Sequence, residues 1–104
     1  MAAAVTIDRD KVLEVLRAKR AEIEERYGVR MIGIVGSVAR GEASEESDID
    51  VIVDIIRTPS LFEIAGAEIE LQEALGLGLP VDLVLREGMR PARRAFIERD
   101  LVAL

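Results

Sequence analysis

Apolar and charged residues alternate with a helical period over the first part of the chain. Between Asp8 and Tyr27, charged side chains fill the positions left between apolar residues spaced three or four apart, namely Val12, Leu13, Leu16, Ile23 and Tyr27. Asp8 is a residue type that caps helix starts, and Gly28 is suited to a left-handed helix end. The pattern therefore predicts a helix from Asp8 to Tyr27.

Three short apolar runs are too short for stable helices and are typical of strands: VRMIGIV over residues 29–35, DIDVIVDII over residues 48–56, and VDLVL over residues 81–85. Gly33 interrupts the first run, which suggests that another backbone approaches it closely. In the second run, alternation predicts one apolar face and one face that carries three carboxylates, with Ile49, Val51 and Val53 on the former and Asp48, Asp50, Ile52 and Asp54 on the latter.

Two further helices are predicted after the second strand. Ser60 and Glu63 have the spacing of a capping box, and the helical pattern continues to about Leu75, before two glycines. The chain closes with a predicted helix over residues 90–104, with Pro91 in its first turn. The order of elements predicts an α+β fold, in which helices pack on a small mixed sheet. The aromatic residues occupy helical core positions in this interpretation, which covers Tyr27, Phe62 and Phe96.

Composition limits the chemistry that this chain can perform. With 104 residues, we expect a single domain over residues 1–104. There is no cysteine and no histidine, so thiolate, imidazole and disulfide chemistry are excluded and any metal must bind to oxygen. A formal net charge of -6 argues against direct nucleic-acid binding. No leader pattern and no membrane-length apolar run is visible, so we expect a cytoplasmic protein.

The acidic residues of the second strand suggest a metal site. Asp48 and Asp50 are two residues apart, which on a strand puts their Cα atoms roughly 6.5 Å apart on one face. Two carboxylates held so close favour a divalent cation, and magnesium or manganese accepts such oxygen ligands. Asp82 alone interrupts its apolar strand, and it would complete a triad if that strand lay beside the second one.

A phosphate site is suggested just before this acidic stretch. Gly36 and Ser37 follow a buried strand and open a predicted helical turn, whose free amides favour anions. Arg40 lies one turn further and offers a guanidinium matched to phosphate oxygens, although it could instead pair with Glu42 or Glu46 at the surface. A phosphate cradle facing a metal site suits phosphoryl or nucleotidyl transfer.

The stretch GSVARGEASEESDIDVIV resembles the Gly-Ser-x-Ala-Arg-Gly-x5-Ser-Asp-x-Asp signature of the DNA polymerase β-like nucleotidyltransferases. Within that superfamily the chain is most similar to the minimal nucleotidyltransferases, the small MntA-type antitoxins that are paired with a HEPN-domain toxin. The resemblance implies that Gly36 and Ser37 hold the triphosphate and that Asp48, Asp50 and Asp82 hold the metals. It also implies ATP as the donor and a hydroxyl of the partner toxin, often a tyrosine, as the AMP acceptor.

Other interpretations of these residues remain open. Asp48 and Asp50 could keep an exposed strand edge from pairing, and Asp54 lies farther along the strand, where a structural role is favoured. The arginines near the C-terminus form a solvated helix face or a surface that docks an acidic partner, and they are Arg86, Arg90, Arg93 and Arg94. The protein could be a non-catalytic antitoxin that occludes its toxin, or a transferase for a small hydroxylated molecule, although no extension to hold such a molecule is visible.

Overall fold

Three helices and four strands follow one another along the part of the chain that the structure, a computed structural model, describes, residues 7–104. They are α1 (Arg9–Tyr27), β1 (Val29–Val35), β2 (Ile49–Ile55), α2 (Leu61–Leu75), β3 (Val81–Leu85), α3 (Pro91–Asp100) and β4 (Val102–Ala103). The strands form one sheet in the order β3-β2-β1-β4. β2 and β3 are parallel, whereas β1 is antiparallel to both β2 and β4. This mixed sheet with helices confirms the predicted α+β class.

The predicted helix ends are confirmed by their capping contacts. The Asp8 carboxylate accepts a hydrogen bond from the Asp10 amide at 2.9 Å, and Gly28 ends α1 in the left-handed conformation at φ 74°. At α2, the Ser60 hydroxyl accepts from the Glu63 amide while the Glu63 carboxylate accepts from the Ser60 amide, both at 3.1 Å. These reciprocal bonds form the predicted capping box and satisfy two amides that a helix start leaves free.

The core lies between α1, α2 and one face of the sheet. From β2 this face presents Ile49, Val51 and Val53, each with no exposed surface, in the alternation that the sequence predicts. They pack in one buried cluster with side chains from both helices, including Leu16, Ile23, Ala67 and Leu71. Burying a side chain of this size stabilises the fold by about 1.5–3 kcal/mol, so the cluster fixes which face of β2 turns outward. Asp50 and Asp54 are therefore directed to the opposite face, called the outer face below.

A bulge in β1 changes which side chains face the core. The pairing of β1 with β2 shifts between Met31 and Gly33, and after the shift Val35 lies opposite Asp50. An extra residue in one strand reverses the alternation from that point on. As a result Met31 before the bulge and Ile34 after it are both buried in the core, and Val35 shares the outer face with Asp50.

The last residues of the chain form a short strand, β4, rather than the predicted continuation of the final helix. The helix ends at Asp100, and Val102–Ala103 pair with β1. The apolar tail gains backbone partners at the sheet edge, and Val102 and Leu104 pack against the core, which a longer helix would not allow. A Cβ atom on Gly33 would overlap the carbonyl oxygen of Val102, so the predicted close approach of another backbone at this glycine is confirmed.

Two of the three aromatic residues do not lie in the core, and the packing interpretation is wrong for them. Phe62 is 90% exposed and Phe96 is 63% exposed, whereas Tyr27 packs against the core as expected. At about 100° per residue, Phe62 lies roughly 140° around α2 from the buried Ala67, so it faces away from the sheet. Phe96 belongs to α3, which has no buried residue.

No helix within residues 7–104 is long and apolar enough to cross a bilayer. The prediction that the chain lacks a leader concerns in part residues 1–6, which lie outside the described residues.

Candidate active site

Neighbouring parallel strands bring two of the predicted carboxylates side by side. Asp50 on β2 and Asp82 on β3 are Cα partners, and partners in a parallel pair direct their side chains to the same face. The pairing begins where the Ile49 amide donates to the carbonyl of Pro80 at 2.8 Å. Asp48 lies just before β2, at the same end of the strand pair. The third strand thus lies beside the second, as the triad requires.

The pKa of Asp50 is shifted by its surroundings. Its carboxylate is half-buried, whereas Asp48 and Asp82 are exposed. Burial raises the pKa of Asp50 above its ordinary value, and the negative charges of Asp82 and then Asp48 raise it further. Both effects disfavour the ionised form, and a bound cation would reverse the charge effect.

The carboxylates suit a hard divalent cation, although they do not enclose one. Within residues 7–104, no three acidic side chains are gathered closely enough to hold a metal ion by themselves. Mg²⁺ needs only one or two carboxylates, because water and substrate phosphates complete its octahedron. The donor set is oxygen only, and like charges converge on Asp50, so the residues fit Mg²⁺ or Mn²⁺. The assignment of Asp48, Asp50 and Asp82 as metal ligands stays a prediction.

The turn that follows β1 lies directly against Asp50. Gly36 has φ 87°, and the Arg40 amide donates to its carbonyl at 3.1 Å, which closes the predicted helical turn. Val38 and Ala39 anchor this turn in the core. A Cβ atom on Gly36 would lie 3.0 Å from Oδ2 of Asp50, so the absence of a side chain keeps the space beside the carboxylate open.

Ser37 is held by a residue whose role the sequence interpretation missed. The Ser37 hydroxyl donates to Oγ of Ser47 at 2.9 Å, and Ser47 Oγ also accepts from the Ser44 amide at 2.8 Å. Ser47 therefore ties the turn at Gly36 to the loop that leads into Asp48. Its position in the Ser-Asp-x-Asp part of the signature was the available signal.

Arg40 makes one of the two surface contacts that the sequence allows as alternatives to phosphate. Its Nε donates to the Glu42 carboxylate at 3.2 Å, and both side chains are about half exposed or more. Such exposed pairs contribute little stability, so the Arg40 guanidinium can leave Glu42 and bind another anion at little cost in free energy. The phosphate contact of Arg40 stays a prediction.

Asp54 is engaged in a structural contact, in keeping with the favoured interpretation. Arg86 Nε donates to its Oδ1 at 2.9 Å, and a second guanidinium nitrogen contacts Oδ2. Arg86 also lies 3.7 Å from the Glu98 carboxylate of α3, so this pair links the outer face of the sheet to the last helix. Arg90, Arg93 and Arg94 are exposed, as a solvated helix face would be.

Comparisons with known proteins agree with this geometry. The model of the nucleotidyltransferase domain family matches residues 16–104. The protein adenylyltransferase MntA of Thermococcus cleftensis is 42% identical over 93 residues, which cover 89% of this chain and 92% of that protein. A solved minimal nucleotidyltransferase superposes with a TM-score of 0.68 at 36% identity, covering 88% of this chain and 95% of its own.

A crystal structure described as a toxin-antitoxin with AMP-PNP has the same fold, with a TM-score of 0.63 at 21% identity, covering 91% of this chain and 70% of its own. The family match spans most of the chain, and the most similar of these relatives share more than a third of their residues with it. The chain belongs to the nucleotidyltransferase domain family, and it is a minimal nucleotidyltransferase.

Proposed function

We propose that this nucleotidyltransferase moves AMP from ATP to a hydroxyl group of a partner toxin and so acts as an antitoxin. The observation that carries the proposal is the juxtaposition of the Gly36 turn with the Asp50 carboxylate, which itself lies beside Asp82. A phosphate-binding turn and an acidic centre are the two parts that nucleotidyl transfer needs, and here they are in contact.

The transfer step follows from the residues in this order. The acceptor oxygen attacks the α-phosphorus of ATP, the new O–P bond forms, and the bond from the α-phosphorus to the bridging oxygen of the β-phosphate breaks, which releases pyrophosphate. Asp82 takes the acceptor proton, since it is exposed at the sheet edge and lies beside Asp50. The Gly36 and Ser37 amides bind the triphosphate, and Arg40 adds a further phosphate contact.

A divalent cation belongs to this site. Asp48, Asp50 and Asp82 would hold Mg²⁺, or Mn²⁺, through carboxylate oxygens. When bound, the cation neutralises charge on the phosphates and polarises the phosphorus that is attacked. Relief of the repulsion at Asp50 supports this assignment, because the neighbouring negative charges raise the pKa of that carboxyl in the metal-free chain.

A protein acceptor is favoured over a small molecule. The relative from Thermococcus cleftensis is named a protein adenylyltransferase, and solved toxin-antitoxin proteins share the fold. Asp48 and Asp82 are exposed, so a hydroxyl on the surface of another protein can reach them. By the family resemblance, the partner is a HEPN-domain toxin and the acceptor is a tyrosine, within a hetero-oligomer of the two proteins.

Occlusion of the toxin without catalysis is the second candidate, and one observation favours it. Leu61 and Phe62 at the start of α2 are 83% and 90% exposed, and large apolar side chains of this kind are suited to protein contacts. In this alternative the partner binds and is inhibited while no AMP is transferred.

Transfer of α-labelled ATP into a co-expressed candidate toxin, with Mg²⁺, tests the proposal. The wild type should label the toxin, and the double variant Asp48→Asn, Asp50→Asn should not. Asp10→Asn is the matched control, because it makes the same chemical change at an exposed residue in the first turn of α1 that is not among the predicted site residues. Label that persists in the double variant would reject these carboxylates, and neutralisation of the toxin without label would favour occlusion.

A further inference from the structure

A cleft lies between α3 and the outer face of the sheet, beside the acidic centre. Its volume is about 280 Å³, and its walls include Asp50, Ile52, Val84, Arg93 and Phe96. Asp50 is also the residue whose carboxylate lies against the Gly36 turn. Any group bound in the cleft is therefore adjacent to the same carboxylate as a phosphate bound at the turn.

The lining of the cleft is suited to a flat, mostly apolar group. Ile52 has no exposed surface and forms an apolar floor together with Val84, its Cα partner on β3. Phe96 is 63% exposed, and its ring forms part of the cleft wall. Aromatic rings at such positions stack on the faces of nucleobases, whatever the base.

Arg93 lies on the same side of α3 as Phe96, because residues three apart share a helix face. Two other arginines of this region are paired with an acidic residue, since Arg86 and Arg94 both contact the Glu98 carboxylate. In the part of the chain that the structure describes, Arg93 has no acidic side chain within salt-bridge distance. Its planar guanidinium is thus available to stack on a ring in the cleft.

We infer that this cleft binds the nucleoside half of the nucleotide donor, with the base against Phe96 and Arg93. The inference rests on the proposed function, because it takes ATP as the donor. With the triphosphate at the Gly36 turn and the α-phosphorus at Asp50, the base and sugar extend into the cleft that shares Asp50 as a wall. A cleft of about 280 Å³ lies near the lower end of the volumes of small-molecule sites, about 300–1,000 Å³, and is small for a folded segment of a protein acceptor.

Calorimetric titration of the full chain in Mg²⁺ with ATP, and separately with inorganic tripolyphosphate, tests this assignment. The two ligands share the phosphates and differ in the nucleoside. Phe96→Ala and Arg93→Ala should each raise the Kd for ATP by roughly tenfold and leave the Kd for tripolyphosphate within about twofold. Both side chains are exposed, so the variants are expected to fold, which circular dichroism checks.

Two matched controls are built into the chain. Phe62→Ala removes a ring from α2 that is even more exposed than Phe96, and Arg94→Ala removes the adjacent arginine, which pairs with Glu98 instead of lining the cleft. Neither should change the Kd for ATP. Loss of ATP affinity in these controls as well would show a general effect and overturn the assignment.

The outcomes separate this inference from the function on which it rests. If the wild type binds ATP and tripolyphosphate but the cleft variants bind ATP normally, the nucleoside lies elsewhere and only the cleft assignment fails. Equal weakening of both ligands by Phe96→Ala would overturn it too. If the wild type binds neither ligand, the proposed nucleotide site fails together with the inference.

Discussion

Asp50 and Asp82 are direct partners across the parallel pair of β2 and β3, and the charge of Asp82 raises the pKa of Asp50. Burial of Asp50 acts in the same direction and is the larger cause. A carboxylate that is hard to ionise in the folded chain lowers stability wherever it is forced to be charged. The acidic residues that we propose for catalysis therefore lower the stability of the metal-free protein when Asp50 is ionised.

Asp50→Asn is expected to raise the melting temperature of the metal-free protein at pH 7 by a few degrees, because the amide removes a half-buried charge that lies beside other carboxylates. Since the folded pKa is raised, the stability attributed to protonated Asp50 is complete below the unfolded pKa and is lost as pH rises through the folded pKa. The gain in the variant should therefore disappear below about pH 4. Thermal unfolding in EDTA from pH 3 to 8, beside Asp10→Asn, measures this; a variant that melts below the wild type at pH 7 would contradict it.

Magnesium should stabilise the wild type and not the variant that lacks its ligands. A ligand that binds only the folded state adds stability that grows with its concentration relative to Kd, about 2.7 kcal/mol at 100 times Kd. We expect the melting temperature of the wild type to rise as Mg²⁺ is added and that of Asp48→Asn, Asp50→Asn to stay constant. EDTA should reverse the rise and abolish AMP transfer. An equal rise in both proteins would place the ion elsewhere.

Gly36→Ala tests whether the open space beside Asp50 matters. The substitution adds a Cβ at φ 87°, 3.0 Å from the Asp50 carboxylate. Gly41→Ala is the matched control, because Gly41 has φ 74° but no atom within 4 Å of an added Cβ. Both variants should lose about 1–2 kcal/mol from backbone strain. Only Gly36→Ala should also weaken tripolyphosphate binding, by roughly tenfold or more; equal affinities in the two variants would argue against phosphate at the turn.

The helix ends could be predicted from the sequence, because they are determined by interactions between residues that are close together in the chain. Asp8, Gly28 and the pair Ser60 and Glu63 mark helix ends through contacts within a few residues, and they were assigned correctly. The neighbours of Asp82 depend on strand order, which pairs residues more than thirty positions apart. From the sequence we could infer that Asp82 joins Asp48 and Asp50 only if its strand lies beside β2. Whether it does so could not be predicted, because periodicity carries no information about which strand lies beside which.

The wrong predictions, which concern two aromatic residues and the C-terminal tail, also arise because tertiary neighbours cannot be read from periodicity. A helical period predicts that Phe62 and Phe96 lie in the core, yet Phe62 lies on the side of α2 away from the sheet and Phe96 lies on a helix without buried residues. The tail after Asp100 continued a helical pattern, but the open edge of β1 competes for it. The sequence contains Ser47 in the signature and Arg93 in the C-terminal arginine cluster, but the contacts of Ser47 with Ser37 and the position of Arg93 at the cleft depend on tertiary neighbours.

Ser47→Ala should loosen the connection between the Gly36 turn and the acidic loop. The variant removes the oxygen that accepts from both the Ser37 hydroxyl and the Ser44 amide. We expect a loss of about 1–3 kcal/mol in the free energy of unfolding and a fall in transfer that is larger than the stability loss explains. Ser44→Ala is the control, because Ser44 Oγ accepts only the longer 3.3 Å bond from Glu46. Chemical denaturation and labelled transfer measure the two effects, and full activity in Ser47→Ala would exclude a positioning role.

The last strand can be tested through the glycine against which it packs. A Cβ on Gly33 would overlap the carbonyl oxygen of Val102, so Gly33→Ala should displace β4 and lower the free energy of unfolding by about 1–3 kcal/mol. In a chain that ends at Leu101, β4 is gone and the same substitution should cost much less. Urea unfolding of the four proteins in this cycle gives the coupling between residue 33 and the tail. A substitution that costs the same in both chains would mean that the tail does not pair with β1 in solution, and that the close approach at Gly33 has no energetic consequence.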